Sequence, residues 1–187
     1  MNKKEISNII SQVKSGDQNA FVQLVDLYKD MVYSLCLKMT QSSADAEELA
    51  QDSFVKAFQS IHKFKGESKF STWLYQIAYY TTINFLRKNK IETTYHFSED
   101  WIESDKSIIS DIQQSERKRY INQAFEYLKP DERAVITLFH LEEHSIEEIA
   151  EITKLSKSNV KVKIHRTRKK LYGIMQSLLK NEVNSLV

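Results

Sequence analysis

The chain has 187 residues, of which 41% are hydrophobic and 28% are charged, and its formal net charge is +2. Three glycines and one proline supply few of the residues that β-turns need, so the composition favours an all-α protein. A single cysteine excludes a disulfide framework, and no apolar run approaches the roughly 20 residues of a membrane-spanning helix. We therefore expect a cytoplasmic protein that does not insert into a membrane.

The charge is distributed unevenly along the chain. Residues 1–90 carry 12 basic and 9 acidic side chains, residues 91–116 carry 1 and 7, and residues 117–187 carry 14 and 9. Two mildly basic segments therefore flank a short acidic one, which indicates two basic domains with an acidic connection.

Four helices are predicted in residues 1–92. The first has apolar residues at helical spacing and ends at Gly16, which tolerates the left-handed backbone found at helix termini. Asp17 can cap the second helix, and Ser42 or Ser43 can cap the third. Four helices of this length can bury one core, so this part is predicted to be a compact helical domain.

The fourth of these helices, STWLYQIAYYTTINFLRKNK, is rich in aromatic residues and ends in basic ones. Tyr79 and Tyr80 are adjacent and point about 100° apart on a helix, so we expect at least one to be exposed near Arg87. Exposed rings beside cations suit single-stranded nucleic acid, because each stacked base contributes roughly 1–3 kcal/mol. The preceding loop around Gly66 could line a pocket for an extruded base.

Residues 93–112 are acidic and show no sustained hydrophobic period. A structureless stretch of this length is uncommon inside one domain, so we predict a flexible acidic linker between two small helical domains. The second domain spans residues 113–187, and Pro130 suits the first turn of one of its helices.

A helix-turn-helix is predicted near the end of the second domain. Ser145 and Glu148 form a capping box for a short helix, and Ser156 can cap a longer one. The inner stripe of the longer helix consists of Val160, Ile164, Thr167 and Leu171. Seven Lys or Arg and no Asp or Glu lie between Lys157 and Lys170, which predicts a DNA-binding element.

The outer face of this second helix supplies candidate contacts to duplex DNA. The candidates for base edges, near the helix start, are Lys157, Ser158, Asn159, Lys161 and Val162. The candidates for phosphates are Arg166, Arg168 and Lys169, and His165 lies on the same face.

Three other interpretations stay open at this point. Basic amphipathic helices also bind membranes or acidic partners. A free-standing regulator could use the helix-turn-helix alone, although such regulators usually dimerise and no heptad repeat is evident. A helical-bundle metalloenzyme could use His140, Glu143, His144 and Glu148, but paired motifs from facing helices are missing. We predict no metal ion, no cofactor and no catalytic residue.

Four blocks of the chain, in order, resemble the extracytoplasmic function group of bacterial sigma factors, in the sigma-70 family. They are DAEELAQDSFVKAF, FKGESKFSTWLYQIA followed by INFLRK, LKPDERAVITLFHLEEHSIEEIAEI and VKIHRTRKKL. The resemblance implies a non-enzymatic RNA polymerase subunit that recognises and melts promoters and initiates transcription of a stress or envelope-response regulon. Its implied partners are core RNA polymerase, promoter DNA as duplex and single strand, and an anti-sigma factor.

The resemblance also implies roles for individual residues. The implied polymerase-binding residues are Asp45, Glu48, Gln51, Asp52 and Phe54. The implied contacts to the minus-ten element are Lys63, Phe64, Lys65, Gly66, Glu67, Ser68, Tyr75, Tyr79, Tyr80, Asn84 and Arg87. The implied contacts to the minus-thirty-five element are Lys157, Ser158, Asn159, Lys161, Val162, His165, Arg166 and Lys169.

The chain departs from the family pattern at several positions. Arg-Asn is frequent where this chain has Tyr79 and Tyr80, so its base preference is expected to differ. A glycine is usual in the tight turn, where this chain has Lys154. A left-handed backbone at that lysine would cost about 1 kcal/mol relative to glycine.

Overall fold

The computed structural model describes residues 2–89 and 114–185, and the expected linker at 93–112 lies outside them. In these two ranges the regular structure is helical throughout, which confirms the all-α fold. The α-helices are α1 (Lys3–Lys14), α2 (Gln18–Thr40), α3 (Ser43–Ser60), α4 (Phe70–Lys88), α5 (Gln114–Glu126), α6 (Pro130–His140), α7 (Ile146–Thr153) and α8 (Lys157–Ser185). A short 3-10 turn, Ile61–Lys63, follows α3. No described helix is both long and apolar enough to cross a membrane.

The N-terminal helices begin and end where local groups satisfy their backbone. The carboxylate of Asp17 accepts two amide hydrogen bonds from the first turn of α2, at 2.9 and 3.2 Å. The hydroxyl of Ser42 accepts one from the amide of Asp45, at 3.3 Å, and starts α3. Between α1 and α2, Gly16 has a φ of 104°, which glycine adopts without strain. These boundaries confirm the expected ones.

Helices α2, α3 and α4 pack on one another, and α1 lies against α2. Their core includes the buried side chains of Leu24, Leu35, Met39, Leu49 and Leu74. Cys36 lies in the same core, where burial raises the pKa of its thiol to about 11. Because the thiolate is the reactive form, this cysteine acts as a small packing residue.

The C-terminal helices also follow the predicted signals. Pro130 is the first residue of α6. Ser145 and Glu148 form the capping box of α7, with hydrogen bonds of 3.2 and 2.9 Å. Lys154 follows α7 with a φ of 57°, so the tight turn does have a left-handed residue. The hydroxyl of Ser156 then accepts an amide hydrogen bond of 3.2 Å from the first turn of α8.

The two helical domains pack against each other. α6 lies against α2, and α7 lies against α4. At the α2 side, the ammonium group of Lys38 lies 5.5 Å from the ring centroid of Phe125, a distance that allows a cation–π interaction. The buried apolar residues of both domains form one continuous cluster. The described residues therefore make a closed arrangement, although the linker pattern alone indicated two separate units.

Candidate nucleic-acid interface

Helix α8 separates an apolar inner face from an exposed cationic outer face. Val160 and Thr167 of the inner stripe are 0% and 1% exposed, and Ile164 is also buried. The eight residues predicted to contact the minus-thirty-five element, Lys157, Ser158, Asn159, Lys161, Val162, His165, Arg166 and Lys169, are all exposed. The helix therefore presents these side chains together on a surface that a DNA groove can reach.

Acidic side chains at the edges of α8 pair with only some of its basic groups. Lys163 lies 2.5 Å from a carboxylate oxygen of Asp131, and Lys170 lies 3.0 Å from one of Glu132. Both pairs tie α8 to the first turn of α6. Among the described residues, no ion pair engages the charged groups of Lys161, Arg166, Arg168 or Lys169. The positive charge of the outer face is therefore left free for phosphates.

Helix α3 carries the predicted polymerase-binding residues on two different faces. Glu48, Gln51 and Asp52 are exposed, and Asp45 is half-buried in the first turn. Phe54 is 8% exposed and lies in the domain core. The exposed polar residues are thus available to a partner. The ring of Phe54 instead packs in the core and holds α3 in place.

The loop between α3 and α4 is anchored by aromatic packing. Phe64 is buried, and its ring centroid lies 5.6 Å from that of Phe70 and 5.3 Å from that of Trp73. The loop residues Lys63, Lys65, Gly66 and Glu67 are exposed, and Ser68 is half-buried. A cavity of about 440 Å³ lies between this loop and α1. The loop therefore borders a space large enough for a small ligand.

The aromatic residues of α4 are less accessible than the sequence predicted. Tyr75 is 1% exposed and Tyr79 is 8% exposed, while Tyr80 is half-buried. Neither ring is exposed, so the expectation that at least one of Tyr79 and Tyr80 would be exposed is wrong for this arrangement. It assumed that α4 buries one face, but the C-terminal domain covers a second face. Asn84 and Arg87, nearer the end of α4, are exposed.

Burial also affects the ionisation of these phenols. It raises the pKa of Tyr79 to about 12, and it raises the pKa of Tyr75 as well. A tyrosine is already neutral at physiological pH, so the shift only extends the neutral range, and both side chains contribute rings and hydroxyl groups rather than charge.

Two side chains of α4 satisfy backbone carbonyls at the end of α7. The hydroxyl of Tyr80 donates a 3.0 Å hydrogen bond to the carbonyl oxygen of Thr153. The side-chain amide of Gln76 donates one of 2.7 Å to the carbonyl oxygen of Glu151. The last carbonyls of a helix lack partners within it, so α4 caps the C-terminus of α7.

The carboxylate of Glu148, in the first turn of α7, also contacts the N-terminal domain. The ammonium group of Lys69 lies 2.9 Å from a carboxylate oxygen of Glu148, and the ring of His144 packs edge-on against Tyr75 at 4.9 Å between centroids. Burial opposes ionisation of Glu148, but hydrogen bonds from Lys69 and the Ser145 amide outweigh it and lower the pKa of Glu148 to about 2.

Comparison with known proteins assigns both halves of the chain. Residues 24–91 match the family model of Sigma-70 region 2, and residues 118–171 match that of Sigma-70 region 4. The chain is 36% identical over 185 residues to the ECF RNA polymerase sigma factor SigW of Bacillus subtilis, a match that covers 92% of this chain and 98% of that protein. The chain belongs to the extracytoplasmic function group of sigma factors. It is an RNA polymerase sigma factor, and sigma factors are transcription initiation factors.

Other relatives of this sigma factor span the same length. The RNA polymerase sigma-H factor of Pseudomonas aeruginosa is 29% identical over 192 residues, which cover 96% of this chain and 98% of that protein. Among solved structures, CnrH in complex with the cytosolic domain of CnrY has a TM-score of 0.64 at 22% identity and covers 90% of this chain and 96% of that one. The sigma factor RpoE in complex with the anti-sigma factor NepR, from Bartonella quintana, has a TM-score of 0.61 at 21% identity and covers 83% of this chain and 96% of that one. These two structures share the fold of the sigma factor.

His144, one of the histidines considered as metal ligands, lies beside the capping box of α7 in this sigma factor. His144 Nδ1 lies 3.5 Å from a carboxylate oxygen of Glu148, which already caps α7 and pairs with Lys69. Burial lowers the pKa of His144, against the influence of that carboxylate. Within the part of the chain that the structure describes, no group of three or more His, Cys, Asp or Glu is placed to hold a metal ion.

Sequence reasoning missed three side chains of the sigma factor that make contacts across the fold. Gln76 caps α7, Lys69 pairs with the α7 capping box, and Lys14 of α1 donates a 2.5 Å hydrogen bond to the carbonyl oxygen of Phe64. Their partners lie 75, 79 and 50 positions away, so no local pattern indicated them.

Proposed function

We propose that this sigma factor reads the minus-thirty-five element as duplex through the outer face of α8. The observation that carries this proposal is the cationic surface of that helix, where Lys161, Arg166 and Lys169 are exposed and unpaired among the described residues. Residues near the helix start, such as Asn159 and Val162, would meet base edges. The arginines and lysines farther along would bind phosphates and set the register of the helix in the groove.

The first domain, residues 1–92, would bind the polymerase clamp and the opened minus-ten strand. Exposed polar residues on α3, among them Glu48 and Asp52, support a surface for the clamp. The loop after α3, with its exposed Lys63 and Lys65, would hold an unpaired base at the adjacent cavity. Asn84 and Arg87 would follow the strand along α4.

The closed arrangement implies a rearrangement before the minus-ten strand can bind. Tyr75 and Tyr79 lie beneath the C-terminal domain, and Tyr80 is engaged by the end of α7. These rings can stack on bases only after α7 has left α4. Binding to core polymerase would stabilise the separated form, because a ligand shifts an equilibrium toward the state that it binds better. The acidic segment 93–112 would then connect the separated domains and thread past the active centre of the polymerase.

The cellular setting is proposed by analogy with the relatives. We propose that the protein acts in the cytoplasm on promoters of a stress or envelope-response regulon. The structure of RpoE from Bartonella quintana contains the anti-sigma factor NepR, and a protein of that class is the proposed regulator of this chain.

Transcription with reconstituted polymerase tests the proposal. The full chain is mixed with core RNA polymerase and a pool of promoters, and the transcripts are sequenced. We expect specific initiation only when both proteins are present. A gel shift with the free protein is the control. Strong specific duplex binding without polymerase, together with no polymerase-dependent initiation, would instead favour a free-standing regulator.

A further inference from the structure

Helix α1 forms one side of the cavity next to the loop between α3 and α4. The cavity measures about 440 Å³, and α1 contributes Ser7, Ser11 and Lys14 to its lining. Phe64 and Gly66 line it from the loop. The volume falls within the range of roughly 300–1,000 Å³ that is common for sites of small ligands. α1 lies before residue 24, where the match to Sigma-70 region 2 begins, so the family match assigns it no role.

Lys14 connects α1 to the loop directly. Its ammonium group donates a 2.5 Å hydrogen bond to the carbonyl oxygen of Phe64 and lies 5.9 Å from the centroid of the Phe64 ring. The ring is itself buried against Phe70. One side chain thus holds the backbone at the point where the loop enters the cavity, which fixes the distance between the two walls.

The lining combines apolar surface with lysine and serine side chains, a combination that fits a nucleotide. Three lysines, Lys14, Lys65 and Lys69, line the cavity together with several serines, and among the described residues no carboxylate does. Lys69 is paired with Glu148 and Lys14 is bonded to the Phe64 carbonyl, so Lys65 is the lysine best placed to meet an incoming phosphate. Tyr28, which is half-buried, is the lining aromatic residue with accessible ring surface on which a base can stack. An unpaired nucleotide of promoter DNA has the matching charge, the flat ring and the hydrogen-bonding edge.

Ser7 and Ser11 are placed to read that edge. They are four residues apart in α1, so they lie on the same face, and both are exposed. A hydroxyl group can donate and accept, and its orientation adapts to its partner. Bases differ in the order of donors and acceptors along their edges. Two adjacent hydroxyl groups on a fixed wall can therefore favour one base over another.

We propose that α1 is the second wall of the base-binding cavity, that Ser7 and Ser11 determine base preference there, and that Lys14 is the residue that positions the loop. The inference rests on the proposed function of the loop, which brings an extruded base to this cavity. It adds a specificity element from a helix outside the matched region. Promoter choice at one minus-ten position would then depend on α1 as well as on the loop.

The test uses full-length variants bound to core RNA polymerase and a promoter pool randomised across the minus-ten region. Ser7→Ala and Ser11→Ala should each change the base preference at one and the same position by about fivefold, the effect of losing one hydrogen bond. Preferences at the minus-thirty-five element should stay as in the wild type. Asn8→Ala is the matched control, because Asn8 is an exposed polar residue of the same helix that does not line the cavity.

Lys14 is tested by replacement and rescue. Lys14→Ala should weaken discrimination at that same position, and Lys14→Arg, which can still donate to the Phe64 carbonyl, should restore it. Restoration separates positioning from a general loss of stability, which thermal unfolding of each variant measures independently.

The possible outcomes separate the proposed role of α1 from the proposed binding of an extruded base by the loop. If the wild-type holoenzyme shows no base preference in the minus-ten region, the proposed role of the loop fails, and the inference fails with it. If the wild type discriminates and the double variant of Ser7 and Ser11 has an unchanged profile, only the inference is overturned. A shift produced equally by Asn8→Ala would also overturn it.

Discussion

The hydroxyl group of Tyr80 donates a 3.0 Å hydrogen bond to the carbonyl oxygen of Thr153, the last residue of α7. Tyr80 belongs to α4, the helix proposed to hold the opened DNA strand, and Thr153 belongs to the helix-turn-helix. The bond satisfies a helix-terminal carbonyl that has no partner within α7. Separation of the domains exposes that carbonyl and frees the ring in a single step.

Tyr80→Phe should favour the open form while it keeps the aromatic ring. Loss of the hydrogen bond lowers the free energy that holds the domains together by about 1 kcal/mol. Energy transfer between one fluorophore on α2 and another on α8 should report a larger mean distance than in the wild type. Tyr80→Ala is the comparison, since it also removes the ring and should impair strand opening at equal promoter occupancy. Equal distances in Tyr80→Phe and the wild type would show that this bond does not hold the domains closed.

Arg166→Ala should weaken duplex binding to a similar degree on every promoter. Arg166 is exposed on α8 and, among the described residues, is not engaged in an ion pair, so its replacement should remove one of the proposed phosphate contacts. The slope of log affinity against log salt should become shallower by about 1. Holoenzyme binding to promoter duplexes between low and moderate salt measures this slope.

Two variants make the Arg166 experiment specific. Asn159→Ala, near the start of α8, should change which minus-thirty-five sequence is preferred, by roughly 1–3 kcal/mol at one base pair. Lys29→Ala removes an exposed charge on α2 and should leave both the slope and the preference unaltered. A uniform loss on all promoters for Asn159→Ala would contradict its assignment to a base edge.

Lys154→Gly should stabilise the protein. The lysine has a φ of 57°, which costs a residue with a β-carbon about 1 kcal/mol relative to glycine. Part of this gain is offset because glycine is more flexible in the unfolded chain, so we expect a net increase of about 0.5 kcal/mol in the free energy of unfolding. Urea denaturation measures it. Lys169→Gly, inside α8, should instead lose about 1 kcal/mol, and a similar loss for Lys154→Gly would refute the prediction.

The Lys69–Glu148 pair should make stability depend on pH in the acid range. Its surroundings lower the pKa of Glu148 from the ordinary value of 4.5 to about 2 in the folded protein. The folded state therefore gains stability above the unfolded pKa and loses it as pH falls toward 2. Lys69 is 71% exposed, so solvent screening reduces the effect to about 1–2 kcal/mol.

Urea denaturation of wild type and Glu148→Gln at several values between pH 5 and pH 2 isolates this contribution. Other carboxylates affect both proteins alike, so the difference between the two curves reports Glu148. The wild type should lose its advantage as the pH falls. Two parallel curves over this range would mean that the carboxylate is not stabilised by its surroundings.

Helix boundaries and the inner stripe of α8 could be predicted because they depend on neighbouring residues. Ser145 and Glu148 are three positions apart, and Val160 and Ile164 are four apart, so helical geometry alone brings each pair together. The exposed cationic face of α8 follows directly from that stripe. The left-handed turn at Lys154 was suggested instead by the resemblance, since a glycine is usual at that position of the family.

The burial of Tyr79 and the partial burial of Tyr80 could not be predicted in the same way. The partner of Tyr80 lies 73 positions away, beyond a linker whose composition indicates separate domains. Helical periodicity shows which residues share a face of a helix. It does not show how many of those faces are covered by other helices. For the same reason the bond between Lys14 and Phe64, 50 positions apart, left no local signal.

The hydrogen bonds from α4 to the end of α7 have an evolutionary consequence. Tyr80 and Gln76 each stabilise the closed molecule, and both lie on the helix proposed to touch DNA. Selection for a different promoter sequence would act on these same positions. It would also alter how readily the two domains separate. Under the proposed opening of the domains, a substitution at Tyr80 or Gln76 would therefore change both the surface offered to DNA and the stability of the closed molecule.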